Sequence, residues 1–218
     1  MRTFALSVLL LAVCCLESFA ANTKEAKWDL AKNKKGVKVY LRKVEGSDFK
    51  EFKGVITLKV SLASLVALVK DFEAMPDWVA NCSKCEVLEW TSANETFSYS
   101  VSKAPWPVKN RDAIVHTVIS QDKDTRAVTF KQTGKPDYIP KKKNVIRVKR
   151  IEGFWQFTPK KNGEIEIVYQ VVSDPGGGIP KWLVNSSLVS QPYRTLLKMK
   201  KVVEREKYQN VTLAFMPE

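Results

Sequence analysis

A chain of 218 residues, 44% of them hydrophobic, is long enough to bury a full core, and its formal net charge of +13 makes it strongly basic. One histidine, no G-x-S-x-G motif, no glycine-rich phosphate loop and no cluster of metal-ligand spacing exclude the common hydrolase, nucleotide-binding and metalloenzyme signatures.

The first twenty residues read as a leader. Arg2 precedes an apolar run from Phe4 to Leu16, followed by Ser18-Phe19-Ala20 before Ala21. A short positive start, a short apolar stretch and small residues before the junction describe a secretory signal peptide cleaved after Ala20. Residues 21–218 are then expected to form one secreted or periplasmic domain. Loss of Arg2 and Glu17 leaves its charge at +13. An exported basic protein meets anionic membrane surfaces or acidic ligands rather than nucleic acid; the charge can equally serve solubility alone.

Residues 23–32 read as a short helix with Trp28 as an anchor. Val37, Val39 and Leu41 alternate in a strand after Gly36, and residues 49–60 form its hairpin partner. Ser61 is placed to cap a helix in which Leu62, Leu65, Val66 and Val69 recur at helical spacing. Pro76 begins a second short helix or turn carrying Trp78. Cys82 and Cys85 follow as a CxxC that enters a strand. They form either a local disulfide or a pair of buried, inert thiols.

From there the period is two. Phe97, Tyr99 and Val101 alternate with Ser98, Ser100 and Ser102, so the apolar set is expected to face inward and the serines water. Strands are expected at 111–119, 126–132 and 144–150, and Trp155 and Phe157 mark another. Ile165, Ile167, Tyr169 and Val171 form a last strand, joined to its predecessor by a turn at Asn162-Gly163. His116 falls inside a strand, where a packed role outweighs a catalytic one.

Asp174-Pro175-Gly176-Gly177-Gly178-Ile179-Pro180 then switches the chain into one long helix ending near Lys207. Ser187, Gln191, Arg194, Lys198, Lys201 and Arg205 line up as a polar, largely basic stripe. Val184, Leu188, Val189, Tyr193, Leu196, Met199, Val202 and Val203 cover most of the remaining circumference. Pro192 interrupts the helix. A strand-rich chain ending in such a helix is an α+β domain with the helix laid in the groove of a curved antiparallel sheet. The helix closes either a solid core or a cavity.

Ala104-Pro105-Trp106-Pro107-Val108-Lys109-Asn110-Arg111-Asp112 is a proline-flanked loop that delivers Arg111 into a strand. If Arg111 shares a face with Ala113 and Val115 it points inward, where a guanidinium must be paired or hydrogen-bonded. It is either the polar anchor of a ligand head group or a structural lock on the loop.

The segments 106–112 and 174–185 resemble two hallmark stretches of START domains, the steroidogenic-acute-regulatory-related lipid transfer domains. Val37-Lys38-Val39-Tyr40-Leu41-Arg42, Glu51-Phe52-Lys53-Gly54 and Met75-Pro76-Asp77-Trp78-Val79 are similar in order and spacing. The resemblance implies a helix-grip fold: a curved antiparallel sheet wrapped around the C-terminal helix, with a tunnel for one hydrophobic molecule and no cofactor. It places Arg111 as a cavity-facing anchor. The expected walls are Phe97, Tyr99, Ala113, Val115, Trp155, Ile167 and Tyr169 on the strands and Leu183, Val184, Leu188 and Val189 on the helix. Sterol-binding members often set an acid beside the arginine, and the strand before it offers none. Transient contact with an anionic membrane is expected from the stripe at 194–205 and from Lys141-Lys142-Lys143. The rival readings are a cyclase- or hydrolase-like enzyme on the same architecture, or a non-transferring interaction module with a filled core.

Overall fold

The computed structural model describes residues 27–212, and the leader expected at 1–20 lies outside them. Three strands open the fold: β1 (Asp29–Lys34), β2 (Val37–Arg42) and β3 (Glu51–Leu58). Two helices follow, α1 (Leu62–Lys70) and α2 (Met75–Trp78). Then come β4 (Cys82–Ser92), β5 (Glu95–Ser102), β6 (Arg111–Gln121), β7 (Val128–Gly134), the short β8 (Ile146–Arg147), β9 (Arg150–Pro159) and β10 (Ile165–Asp174). The long helix α3 (Lys181–Val202) completes the order. The strands make one sheet in the order β1-β2-β3-β10-β9-β7-β6-β5-β4, with β8 added beside β6. Every pairing along that path is antiparallel. The sheet is open and curved, and α3 lies along its concave side, packed on β2 and β3. This is the helix-grip α+β arrangement expected from the sequence.

Three elements depart from expectation: the strand expected at 144–150 shrinks to the two residues of β8, α3 ends at Val202 rather than near Lys207, and the opening segment is not helical. Residues 29–34 are a strand, not part of a helix, because Lys35 (φ 52°) and Gly36 (φ 79°) turn the chain straight back into pairing with β2. Cross-strand hydrogen bonding overrides the mild helical preference of Leu-Ala-Lys. As an edge strand β1 carries lysines, which discourage further strand addition. Lys32 Nζ lies 4.1 Å above the Tyr193 ring, tying that edge to α3.

Elsewhere local chemistry and structure agree. Ser61 caps α1, its hydroxyl accepting from Ser64 N at 2.9 Å. The core joins Leu65, Val66 and Leu68 of α1 to Phe130, Phe157 and Ile167 of the sheet and to Leu196, Met199 and Val203. Each such side chain contributes about 1.5–3 kcal/mol by leaving water. Helix and sheet approach closely at Gly54, where a Cβ would stand 2.8 Å from Leu196 Cδ1 and 3.3 Å from Pro192 Cβ. The absent side chain lets the proline-bearing turn of α3 seat directly on β3. Past α3 the chain is clasped to the first helices: Arg205 Nη1 meets Asp77 Oδ2 at 2.6 Å, and Lys207 Nζ meets Asp71 Oδ2 at 2.7 Å.

Candidate ligand-binding cavity

The solid core fills only part of the concave face. Toward the C-terminal end of β10, the sheet and α3 diverge around a cavity of about 290 Å³. Its floor is Trp155 and Tyr169, which are register partners on β9 and β10 with rings stacked at 3.8 Å. Burial raises the Tyr169 phenol well above its usual pKa and keeps it neutral. Ala113, Val115 and Arg111 line the wall from β6, and Leu183, Val184 and Leu188 line the roof from α3.

Eight of the twelve residues expected at the site therefore meet around the cavity. Four do not. Phe97 and Tyr99 point to the opposite, convex face of β5. The register explains the reversal: Ser98 pairs with Val115, Ser100 with Ala113 and Ser102 with Arg111, so the serines share the inward face with these three residues. Phe97 is instead stacked between His116 (4.5 Å) and Tyr138 (4.2 Å), and Lys142 Nζ lies 3.8 Å over the Tyr99 ring. The segment between β7 and β9 covers that outer face, which is why it is apolar without being internal. Ile167 stays on the inward face of β10, but in the packed core on the far side of Tyr169 from the mouth. Val189 is half-buried on a face of α3 that turns away from the cavity.

The helix stripe also divides. Ser187 and Gln191 line the cavity, while Arg194 and Lys201 are exposed and Arg205 is engaged by Asp77. Sequence reasoning missed Ser98, Ser100, Ser102, Gln132, Ser173, Ser187 and Gln191 as wall residues, and it missed the two cysteines. Cys82 and Cys85 are free thiols that both face the cavity across a bulge in β4, which corrects the disulfide alternative. Burial, reinforced by the nearby Cys82 sulfur, pushes the Cys85 thiol up to about 12. His116 lies outside the cavity on the convex face, its Nε2 2.6 Å from Glu95 Oε1.

Arg111 is 6% exposed. Its Nη1 donates to Lys109 O and its Nη2 to Gly176 O at 3.3 Å, while Nε is buried with no partner. Desolvation lowers its pKa, with no carboxylate to oppose the shift. The adjacent Asp112 points to the other face of β6 and forms a fork with Arg147, at 3.0 Å to Nε and 2.9 Å to Nη2. Arg147 was not singled out from sequence; it also donates to the carbonyls of Ile139 (3.1 Å) and Pro136. Arg111 thus joins the 103–110 loop to the glycine hinge, where Gly176 and Gly177 both adopt φ of 64°.

With this geometry in view, comparison with known proteins is direct. A family model described as "START domain" matches residues 10–207. The chain belongs to the START domain family. It is 37% identical over 186 residues to the uncharacterised protein PA1579 of Pseudomonas aeruginosa, covering 85% of this chain and 91% of that one. A solved STAR-related lipid transfer protein of Xanthomonas axonopodis superimposes with a TM-score of 0.76 at 34% identity, over 82% of this START domain chain and 99% of the other. Phosphatidylcholine transfer protein of Mus musculus is 29% identical over 167 residues, 73% of this chain and 76% of its own length. Human StAR-related lipid transfer protein 5 shares the fold, with a TM-score of 0.75 at 16% identity over 83% of this chain and 88% of that one.

Proposed function

We propose that this START domain encloses one lipid or similar hydrophobic molecule and carries it between membranes. The observation that carries the reading is the cavity between α3 and the sheet, apolar on its floor and roof with one buried, carboxylate-free arginine in its wall. Each methylene removed from water into such a site contributes about 0.8 kcal/mol, so partition is strong without any cofactor. The names of the Xanthomonas and mouse relatives support a lipid as cargo. An enzymatic role finds little among the lining residues: the thiols and Tyr169 are held protonated by burial, and the sole histidine is elsewhere.

Membrane contact is supported at the mouth rather than along the basic stripe. Pro105 and Leu183 line the cavity, and their neighbours Trp106 and Trp182 are 93% and 69% exposed. Lys103 and Lys109 stand exposed beside them. Amphipathic rings over lysines suit the headgroup layer of an anionic bilayer. The leader read from the sequence at residues 1–20 supports a secreted or periplasmic location for this carrier.

Native mass spectrometry of protein expressed with its leader, followed by lipid extraction, tests the cargo; near-stoichiometric co-purification is expected, and repeated absence would remove the reading. Sedimentation with anionic vesicles tests the mouth. Trp106→Ala with Trp182→Ala is expected to reduce binding at least tenfold, whereas an unchanged partition would relocate the contact.

A further inference from the structure

The two fully buried side-chain atoms of the cavity wall that lack a partner are both donors. Arg111 uses two of its five N–H groups, both on backbone carbonyls, and its buried Nε has no partner. Trp78, wholly buried and also lining the cavity, has an unpartnered Nε1. An indole and a guanidinium can only donate, so whatever completes this wall must accept.

Charge sharpens the demand. The lining includes two cations, Arg111 and the rim residue Lys103, and no aspartate or glutamate. The nearest carboxylate in sequence, Asp112, is committed to Arg147 on the far side of the sheet. A buried guanidinium stays charged and needs a counter-anion or its full set of acceptors. Ser100 and Ser102, in register with Ala113 and Arg111, add hydroxyls that can donate to the same oxygens. A cationic head would be repelled, and a neutral alcohol would supply acceptor lone pairs but no charge. Volume adds a further limit: about 290 Å³ lies at the small end of ligand cavities, which run from about 300 to 1,000 Å³.

Resting on the carrier reading above, we propose that the cargo is a single-tailed amphiphile with an anionic head, a carboxylate or a phosphate, held by Arg111 against the serine row of β5. The tail then lies over Trp155 and Tyr169 beneath α3.

The test is titration calorimetry of lipid-stripped protein with four probes of equal tail: dodecanoate, dodecyl phosphate, dodecanol and dodecyltrimethylammonium. The expected result is that at least one anion binds about tenfold or more tighter than dodecanol, as charge-assisted pairing implies, and that the cation binds weakest. The better of the two anions identifies the head group. Arg111→Gln is expected to bring acid and alcohol to near parity by weakening the anions about tenfold or more. Equal affinity of wild-type protein for the anions and dodecanol overturns the anionic head but leaves the carrier standing. Failure of all four probes, with no lipid extracted from the purified protein, overturns both. Tighter binding of didodecanoyl phosphatidate than of dodecyl phosphate overturns the single tail. The wild-type comparison decides the matter even if the variant fails to fold.

Discussion

Asp112 and Arg147 form the most deeply buried ion pair among the described residues, with side chains 1% and 3% exposed. Asp112→Asn keeps the shape and removes the charge. One of the two fork bonds is lost, because the amide nitrogen that replaces one oxygen cannot accept. Arg147 then keeps carbonyl acceptors from Pro136, Ile139 and Pro140, but no counter-charge. Breaking a buried pair from one side costs about 3–5 kcal/mol, since the remaining charge stays desolvated. The carbonyl contacts place this case at the lower end, about 3 kcal/mol. For a domain of this size about 2–4 °C of melting temperature corresponds to each kcal/mol, so a fall of about 6–12 °C is expected. Urea unfolding followed by tryptophan fluorescence gives the free energy directly. Arg111→Met is the control: it removes a guanidinium that has no carboxylate, and its stability is expected to stay within about 1.5 kcal/mol of wild type. If Asp112→Asn costs less than Arg111→Met, the division of labour between the two arginines is wrong.

Three further outcomes follow from the same geometry. Gly153→Ala would put a Cβ 2.2 Å from Gln170 O on the paired strand, so a loss of about 1–3 kcal/mol or more is expected in denaturant unfolding, and a neutral result would refute the β9–β10 geometry. Because burial raises both thiols and takes Cys85 to about 12, iodoacetamide at neutral pH is expected to alkylate Cys82 slowly and Cys85 more slowly still. Bound cargo should protect both, and ligand-independent labelling would place the thiols outside the cavity. Desolvation would raise the Asp71 carboxyl, but donation from Lys207, Tyr208 and Ala74 N outweighs it and holds the group below its usual range. A depressed folded pKa contributes stability that is complete above about pH 4 and is lost as pH falls through the folded value. Asp71→Asn should therefore flatten the acid limb of a stability–pH curve, and an unchanged limb would show that the clasp carries no linkage.

The strand alternation, the Ser61 cap, the glycine hinge and the long helix were legible because each rests on local chemistry. The cavity was half legible. Arg111, Ala113 and Val115 were correctly set inward together, yet β5 was turned over. Periodicity gives two faces but not which one is internal, and an apolar face covered by a neighbouring segment reads from sequence as an inward one. Only the register across the 103–110 loop decides, since pairing Ser102 with Arg111 carries Ser98 and Ser100 inward with it. The absence of an acid beside Arg111 survives that reversal, for serines occupy the places assigned to Phe97 and Tyr99. Ile167 failed for a different reason: a strand's inward face runs through both cavity and core, and depth along it depends on where α3 departs from the sheet. Residues 29–34 became a strand only because β2 was there to receive them.

The seam between β3 and β10 has a consequence in time. It joins residues separated by about half of the chain, Val55 lying opposite Val168, and among the described residues it is the only pairing that connects the first three strands to the other seven. During synthesis at about 5–20 residues per second, roughly 110 residues must emerge between the two partners, so the opening hairpin waits for several seconds with one side unpaired. The meander from β4 to β9 can assemble in the meantime from near neighbours. The last strand and the helix that roofs the cavity therefore arrive together, and closing the sheet and forming the cavity become one late event.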